Sequence, residues 1–237
     1  MRHALILMGA ALAFVFPISV HADVSAAEPV SAQQKGFKEN LLLMNRVKPL
    51  QNPQYQDVQH TLDRRVMDYQ QKTVGQVEDL LVEPNGYVSS VEVDFDRMHL
   101  RQSVYVDYQA MAIQGTLDGY VLALREDEIA KKYPELLSNI ETAAGDDSDL
   151  ISIQKLRGAD LENEIGRKIG TIRDILFSTN GRRAEGLYVS VSYDTVRNVG
   201  VAVPFNAVEF RNKGGRLEPT LAKDEALALV DFARSQR

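Results

Sequence analysis

Two stretches of the chain alternate apolar and polar residues with period two. Val91, Val93 and Phe95 fall on one side of the first, with Ser90, Glu92 and Asp94 on the other; Leu187, Val189 and Val191 line one side of the second. That period marks a half-buried strand. Each stretch follows a run rich in Val, Ile and Leu, residues 74–83 and 169–178, and each run leads into Asn-Gly, at Asn85-Gly86 and Asn180-Gly181. Asn-Gly between two strands predicts a tight type I′ hairpin, because both residues tolerate positive φ. Further apolar pairs follow at Val104/Val106 and Val201/Val203, then at Met111/Ile113 and Val208/Phe210, with a last strand over 120–124 and 216–220. Residues 126–133 and 221–234 switch to a helical period; the first stops at Pro134 and the second sets Ala226, Leu227, Val230 and Ala233 on one face, expected to cover a barrel end.

The two patterns are copies. At a spacing of 95, Gly75, Asp79, Leu81, Asn85 and Gly86 match Gly170, Asp174, Leu176, Asn180 and Gly181. At 96, Val93 and Gly119 match Val189 and Gly215; at 97, Val104, Val106, Ala110, Leu124, Asp127 and Glu128 match Val201, Val203, Ala207, Leu221, Asp224 and Glu225. A repeat kept in order over this length implies one domain present twice, near 61–133 and 150–237. The expected fold is mainly β. Five or six short strands per copy hide their edges best by closing into a small barrel, with the helices as caps.

Ahead of the copies, residues 1–22 have the anatomy of a secretory signal peptide. Arg2 and His3 form a basic start, an apolar run ends at Pro17, and Val20-His21-Ala22 fits a cleavage site before Asp23. The alternative is an uncleaved anchor, but the run falls short of the roughly 20 residues a spanning helix needs. A periplasmic or secreted location follows. Residues 23–60 read as a linker: a disordered lead-in, a short helix over 37–47 and a Gln-rich stretch with Pro49 and Pro53. The apolar patch at Leu41, Leu42, Leu43 and Met44 is expected to dock on the body, the alternative being an exposed contact for a partner. Residues 134–149, with Asp146, Asp147 and Asp149, read as a second linker.

Composition narrows the chemistry. The 237 residues carry a net charge of −6 and no cysteine, which excludes disulfides, a thiolate nucleophile, cysteine metal sites and a lipoprotein anchor. Beyond the leader only His60 and His99 remain, without the spacing of a zinc site or a nucleophile motif beside them. Asp146, Asp147 and Asp149 lack the order of a calcium loop. No metal and no cofactor are expected. Asp79 and Asp174 occupy equivalent places, so they read as a duplicated structural feature. The charge is unevenly split: residues 61–131 hold 13 acids and 7 bases, residues 150–237 hold 11 acids and 14 bases. Arg182, Arg183, Arg197, Arg211 and Lys213, with Arg167, Lys168 and Arg216, make the second copy basic. They are the candidate binding residues for an anionic partner, unless that face packs on the acidic first copy. Nucleic acid is not expected of an exported acidic chain without a basic aromatic stripe.

Residues 156–176 carry Gly158, Asp160, Leu161, Gly166, Ile169, Gly170, Ile172, Asp174 and Leu176 in an order that resembles the PRC-barrel family, and residues 201–208, with Pro204 and Phe205, extend the match. The first copy departs from it at Gln71 and Asp107, where the second has Gly166 and Pro204. Its kinship therefore rests on the repeat. The resemblance implies two small β-barrels that act as interaction modules, with no shared catalytic set. The expected function is a non-catalytic exported interaction or scaffolding protein with a protein partner. One alternative is a binder of an anionic ligand or membrane surface. Another is a carboxylate-based enzyme working at the barrel interface.

Overall fold

The computed structural model describes residues 30–62, 64–100, 102–116, 118–138 and 149–236. The expected signal peptide, its cleavage site, and Asp146 and Asp147 lie outside them. The chain begins with α1 (Val30–Met44), β1 (Tyr55–Gln56) and α2 (Val58–Thr61). The first copy follows as β2 (Arg65–Met67), β3 (Thr73–Val82), β4 (Val88–Asp94), β5 (Val104–Asp107), β6 (Gln114–Gly115), β7 (Gly119–Val121) and α3 (Glu126–Ser138). The second comprises β8 (Ile151–Ser152), α4 (Ile153–Leu156), β9 (Asp160–Asn163), β10 (Lys168–Ser178), β11 (Ala184–Val191), β12 (Val199–Pro204), β13 (Glu209–Lys213), β14 (Arg216–Leu221) and α5 (Lys223–Ser235).

Among the described residues the strands form two sheets with one topology. The orders are β5-β4-β3-β2-β7-β6 and β12-β11-β10-β9-β14-β13, and each contains one parallel pair, β2 with β7 and β9 with β14. The mainly β fold and its duplication are as the sequence implies. Even the irregularities repeat: β3 shifts register between Val77 and Asp79 and again at Leu81/Val82, and β10 does so at Ile172/Asp174 and Leu176/Phe177. Bulges bend a strand, so both long strands curve at matched points around an apolar core. That core is continuous across the two units, from Val77 and Phe95 to Phe177 and Leu187.

The hairpin turns differ from the type I′ expectation. Asn85 and Asn180 keep negative φ, while Gly86 (φ 88°) and Gly181 (φ 66°) are left-handed. The Gly86 amide donates to the Glu83 carbonyl, closing a turn with Pro84 at its second position, where the ring's fixed negative φ excludes type I′. Each Asn instead accepts, through Oδ1, the amide two residues on, Tyr87 and Arg182, which is the side-chain turn Asn favours. The drift of the repeat from 95 to 96 also lies here: Glu83 donates to the Tyr87 carbonyl, Ser178 to that of Arg183.

The linker before each copy crosses to the other copy. β1 pairs with β10 of the second sheet, and β8 pairs with β3 of the first. The polar stretch 51–59, expected to lack regular structure, is therefore ordered by the edge of a strand it reaches across the molecule. α3 also outruns its expected stop, continuing through Pro134 to Ser138. The amide that Pro134 lacks would have bonded to the carbonyl of Ala130, an exposed residue, and the extra turn buries Leu136.

α1 starts earlier than the sequence indicates and docks on the second unit, against β12 and α5. Phe37, Leu41 and Met44 are buried; Leu42 and Leu43 face outward. β12 is an edge strand, and Asn45 caps that edge: its Nδ2 donates to the Ala202 carbonyl at 2.8 Å and its Oδ1 accepts the Ala202 amide at 2.8 Å. A covered edge cannot recruit a foreign strand. Asn45→Ala is expected to cost about 1–2 kcal/mol for two lost hydrogen bonds. Amide hydrogen exchange at Ala202 should then speed up together with that of α1; unchanged protection would refute the capping role.

Candidate functional site

The repeated aspartates come first. Asp79 is buried beside the bulge of β3 and accepts from the amides of Leu80 (2.7 Å) and Gln154 (2.9 Å) and from the Ser152 hydroxyl (2.5 Å). Asp174 accepts from the amides of Ile175 (2.8 Å) and Val58 (2.9 Å). Each carboxylate thus ties the start of the short helix that has crossed over from the other copy, α4 for Asp79 and α2 for Asp174. The structural reading of this pair explains every one of these bonds. Burial raises both carboxyls above the ordinary range. Glu92 faces Asp79 in register across β3 and β4; its carboxyl is raised by burial and then by the charge of Asp79, and it shares a hydrogen bond with Tyr105, whose phenol burial also raises. The carboxyl facing Asp79 therefore comes from its own unit.

The tips of the two Asn-Gly hairpins meet. The Val88 amide donates to the Arg182 carbonyl (3.0 Å) and the Ala184 amide to the Gly86 carbonyl (2.9 Å), a short antiparallel bridge between the copies. Arg183 lies over the Tyr87 ring at 5.0 Å and Arg182 over the Tyr108 ring at 5.7 Å, contacts that a guanidinium makes with the negative face of an aromatic ring. The buried Tyr120 hydroxyl donates to the Gly181 carbonyl (3.0 Å). Arg64, also buried, donates to the Thr116 carbonyl and to Gln56 of β1.

The five candidate binding residues therefore sit on three separate elements. Arg182 and Arg183 belong to the junction with the first copy. Arg197 donates to the carbonyls of Asp194 and Val196 in its own loop. Arg211 pairs through two nitrogens with Glu209 on β13, and Lys213 is exposed at the end of that strand. His99 is exposed in a loop, and the His60 side chain lies outside the described residues. No group of three His, Asp or Glu side chains able to hold a metal ion gathers among the described residues, and none of the described helices is long and apolar enough to cross a membrane.

A surface that the sequence reading does not single out lies on the second unit. A groove of about 310 Å³ is bounded by α5, through Lys223, Leu227 and Val230, by Tyr193, and by the β9–β10 turn with Ile165. Ile165 is 79% exposed and Leu227 54%. Arg167 stacks on Tyr193 at 4.6 Å from the ring centre. The equivalent depression on the first unit has Gln70 at the place of Ile165 and Ala130 at that of Leu227, and a Lys72–Glu126 ion pair beside them. Aligning the two copies of the sequence would have shown these swaps; reading each copy alone does not.

Comparison with known proteins agrees with the geometry of the second unit. Its residues 148–221 match the family profile of the PRC-barrel domain. No curated protein matches the chain. The matched span begins just before β8 and ends with β14, so it takes in the crossing segment, the bulged β10 and every strand of the second sheet except β1. The PRC-barrel domain is thus what residues 148–221 of this chain are similar to.

Proposed function

We propose that the chain is an exported interaction or scaffolding protein, whose two β units hold a protein partner in the cell envelope. PRC-barrel domains serve generally as interaction modules, and the family is generally non-enzymatic. The observation that carries the reading is the double tie between the units. Crossing lead-ins bound by Asp79 and Asp174, and hairpin tips paired at Gly86 and Ala184, fix the units relative to each other. A body of fixed geometry presents its surfaces at constant spacing, which lowers the entropy lost when a partner binds.

Photo-crosslinking in intact cells tests this. With the crosslinker placed in turn at exposed positions of both units, one discrete heavier species containing a second protein is expected from the envelope fraction. The purified chain should begin at Asp23. A cytoplasmic chain retaining its first 22 residues, or no crosslinked protein from any position, would overturn the proposal.

A further inference from the structure

We infer that the groove beside Ile165 is a self-association surface, and that its occupant is Ile165 from a second copy of this chain. The fold itself does not call for large apolar side chains here, because the equivalent place on the first unit is built with Gln70 and Ala130. Ile165 stands at the tip of the β9–β10 turn beside an apolar hollow lined by Ile169, Tyr193, Leu227 and Val230. A two-fold contact needs a patch that complements itself, in which residue i meets j and j meets i. This patch carries both halves of two such pairs. The protruding Ile165 adjoins a hollow large enough for one aliphatic side chain, and Glu164 and Lys223, both exposed, line the same groove. Turning a second copy about a two-fold axis sets each Ile165 in the other's hollow and each Glu164 against the other's Lys223. The two charged residues that line the groove, Glu164 and Lys223, are of opposite sign. Such a rim suits a copy of itself better than a strongly charged ligand. Patches centred on two large side chains fall at the small end of interfaces, so the association is concentration-dependent.

The test is sedimentation equilibrium of the chain as its cell processes it, over a hundredfold range of concentration. The mass should rise toward twice the monomer. Ile165→Glu and Leu227→Gln should each raise the dissociation constant at least tenfold, with unfolding curves like the wild type because both side chains are exposed. Glu164→Lys should weaken pairing, and Glu164→Lys combined with Lys223→Glu should restore it. A monomer at every concentration overturns the inference. So does a dimer indifferent to Ile165 and Leu227 but lost on Leu42→Glu with Leu43→Glu, the exposed pair on α1. Neither result touches the envelope-partner reading, whose crosslinks contain a different protein.

Discussion

Gly86→Ala should lower the unfolding free energy by about 3 kcal/mol, while Gly158→Ala, at almost the same backbone angle, should cost about 1 kcal/mol. The two glycines separate strain from contact. Gly158 has φ +89° and nothing within 4 Å of an added Cβ, whereas Gly86 has φ +88° and an added Cβ would stand 2.3 Å from the Ala184 carbonyl oxygen. Left-handed strain is therefore common to both. Only at Gly86 must the bridge between the hairpin tips open, with loss of the Ala184 amide bond and its neighbour from Val88, each worth about 1 kcal/mol. For a chain of this size the difference corresponds to roughly 4–8 °C in Tm. Thermal melts of the two variants decide it. Equal shifts would mean that the tips contribute nothing to holding the units together.

The second large effect is at Asp79. Asp79→Ala takes the acceptor from the buried Leu80 amide and from the partly buried Gln154 amide and Ser152 hydroxyl; donors so stranded cost about 2–4 kcal/mol in sum. Asp79→Asn keeps one acceptor oxygen and should cost less. The pH dependence separates charge from shape. Burial raises the Asp79 carboxyl, and burial with the neighbouring Asp79 charge raises Glu92. A carboxyl whose folded-state pKa exceeds its unfolded value binds its proton more tightly when folded. Its stabilising contribution is complete below the unfolded pKa and is lost as pH rises through the folded one. The wild type should therefore gain stability on acidification toward the ordinary carboxylate range, about pH 4. Asp79→Asn removes one titrating group and relieves Glu92, so its urea midpoint should vary less over that interval. A variant as pH-dependent as the wild type would show that the buried pair is not the source.

The duplicated fold was legible because side-chain period and Asn-Gly turns are local signals. Gly75, Asp79 and Gly86 recur as Gly170, Asp174 and Gly181 since each does the same local work: a close approach to the neighbouring strand at Gly75 and Gly170, a bulge at the aspartates, a left-handed turn at Gly86 and Gly181. The crossing of the lead-ins was not legible. β1 is two residues long, and nothing local tells Tyr55 and Gln56 that their partners are Ser178 and Phe177, more than 120 positions away. The one trace is Val58 at 95 residues from Ile153, both buried and both following the residue that enters the Asp-bound turn. The facing of the basic residues was not legible for a related reason. A charge count gives the sign of a surface but not its facing, and Arg182 and Arg183 turn toward tyrosines of the first copy.

The crossing of β1 and β8 also sets the order in which the molecule is completed as it is made. Synthesis runs from the amino end, so when residues 65–121 have emerged their sheet still has a bare edge at Leu81 and Val82, the place of Ser152 and Ile151. β1, although made first, has nothing to join until β10 exists. The first half thus waits for the second and the second arrives to find its own missing strand already made. Neither half reaches its final form alone, and a chain stopped between them is left with two open edges rather than one finished domain.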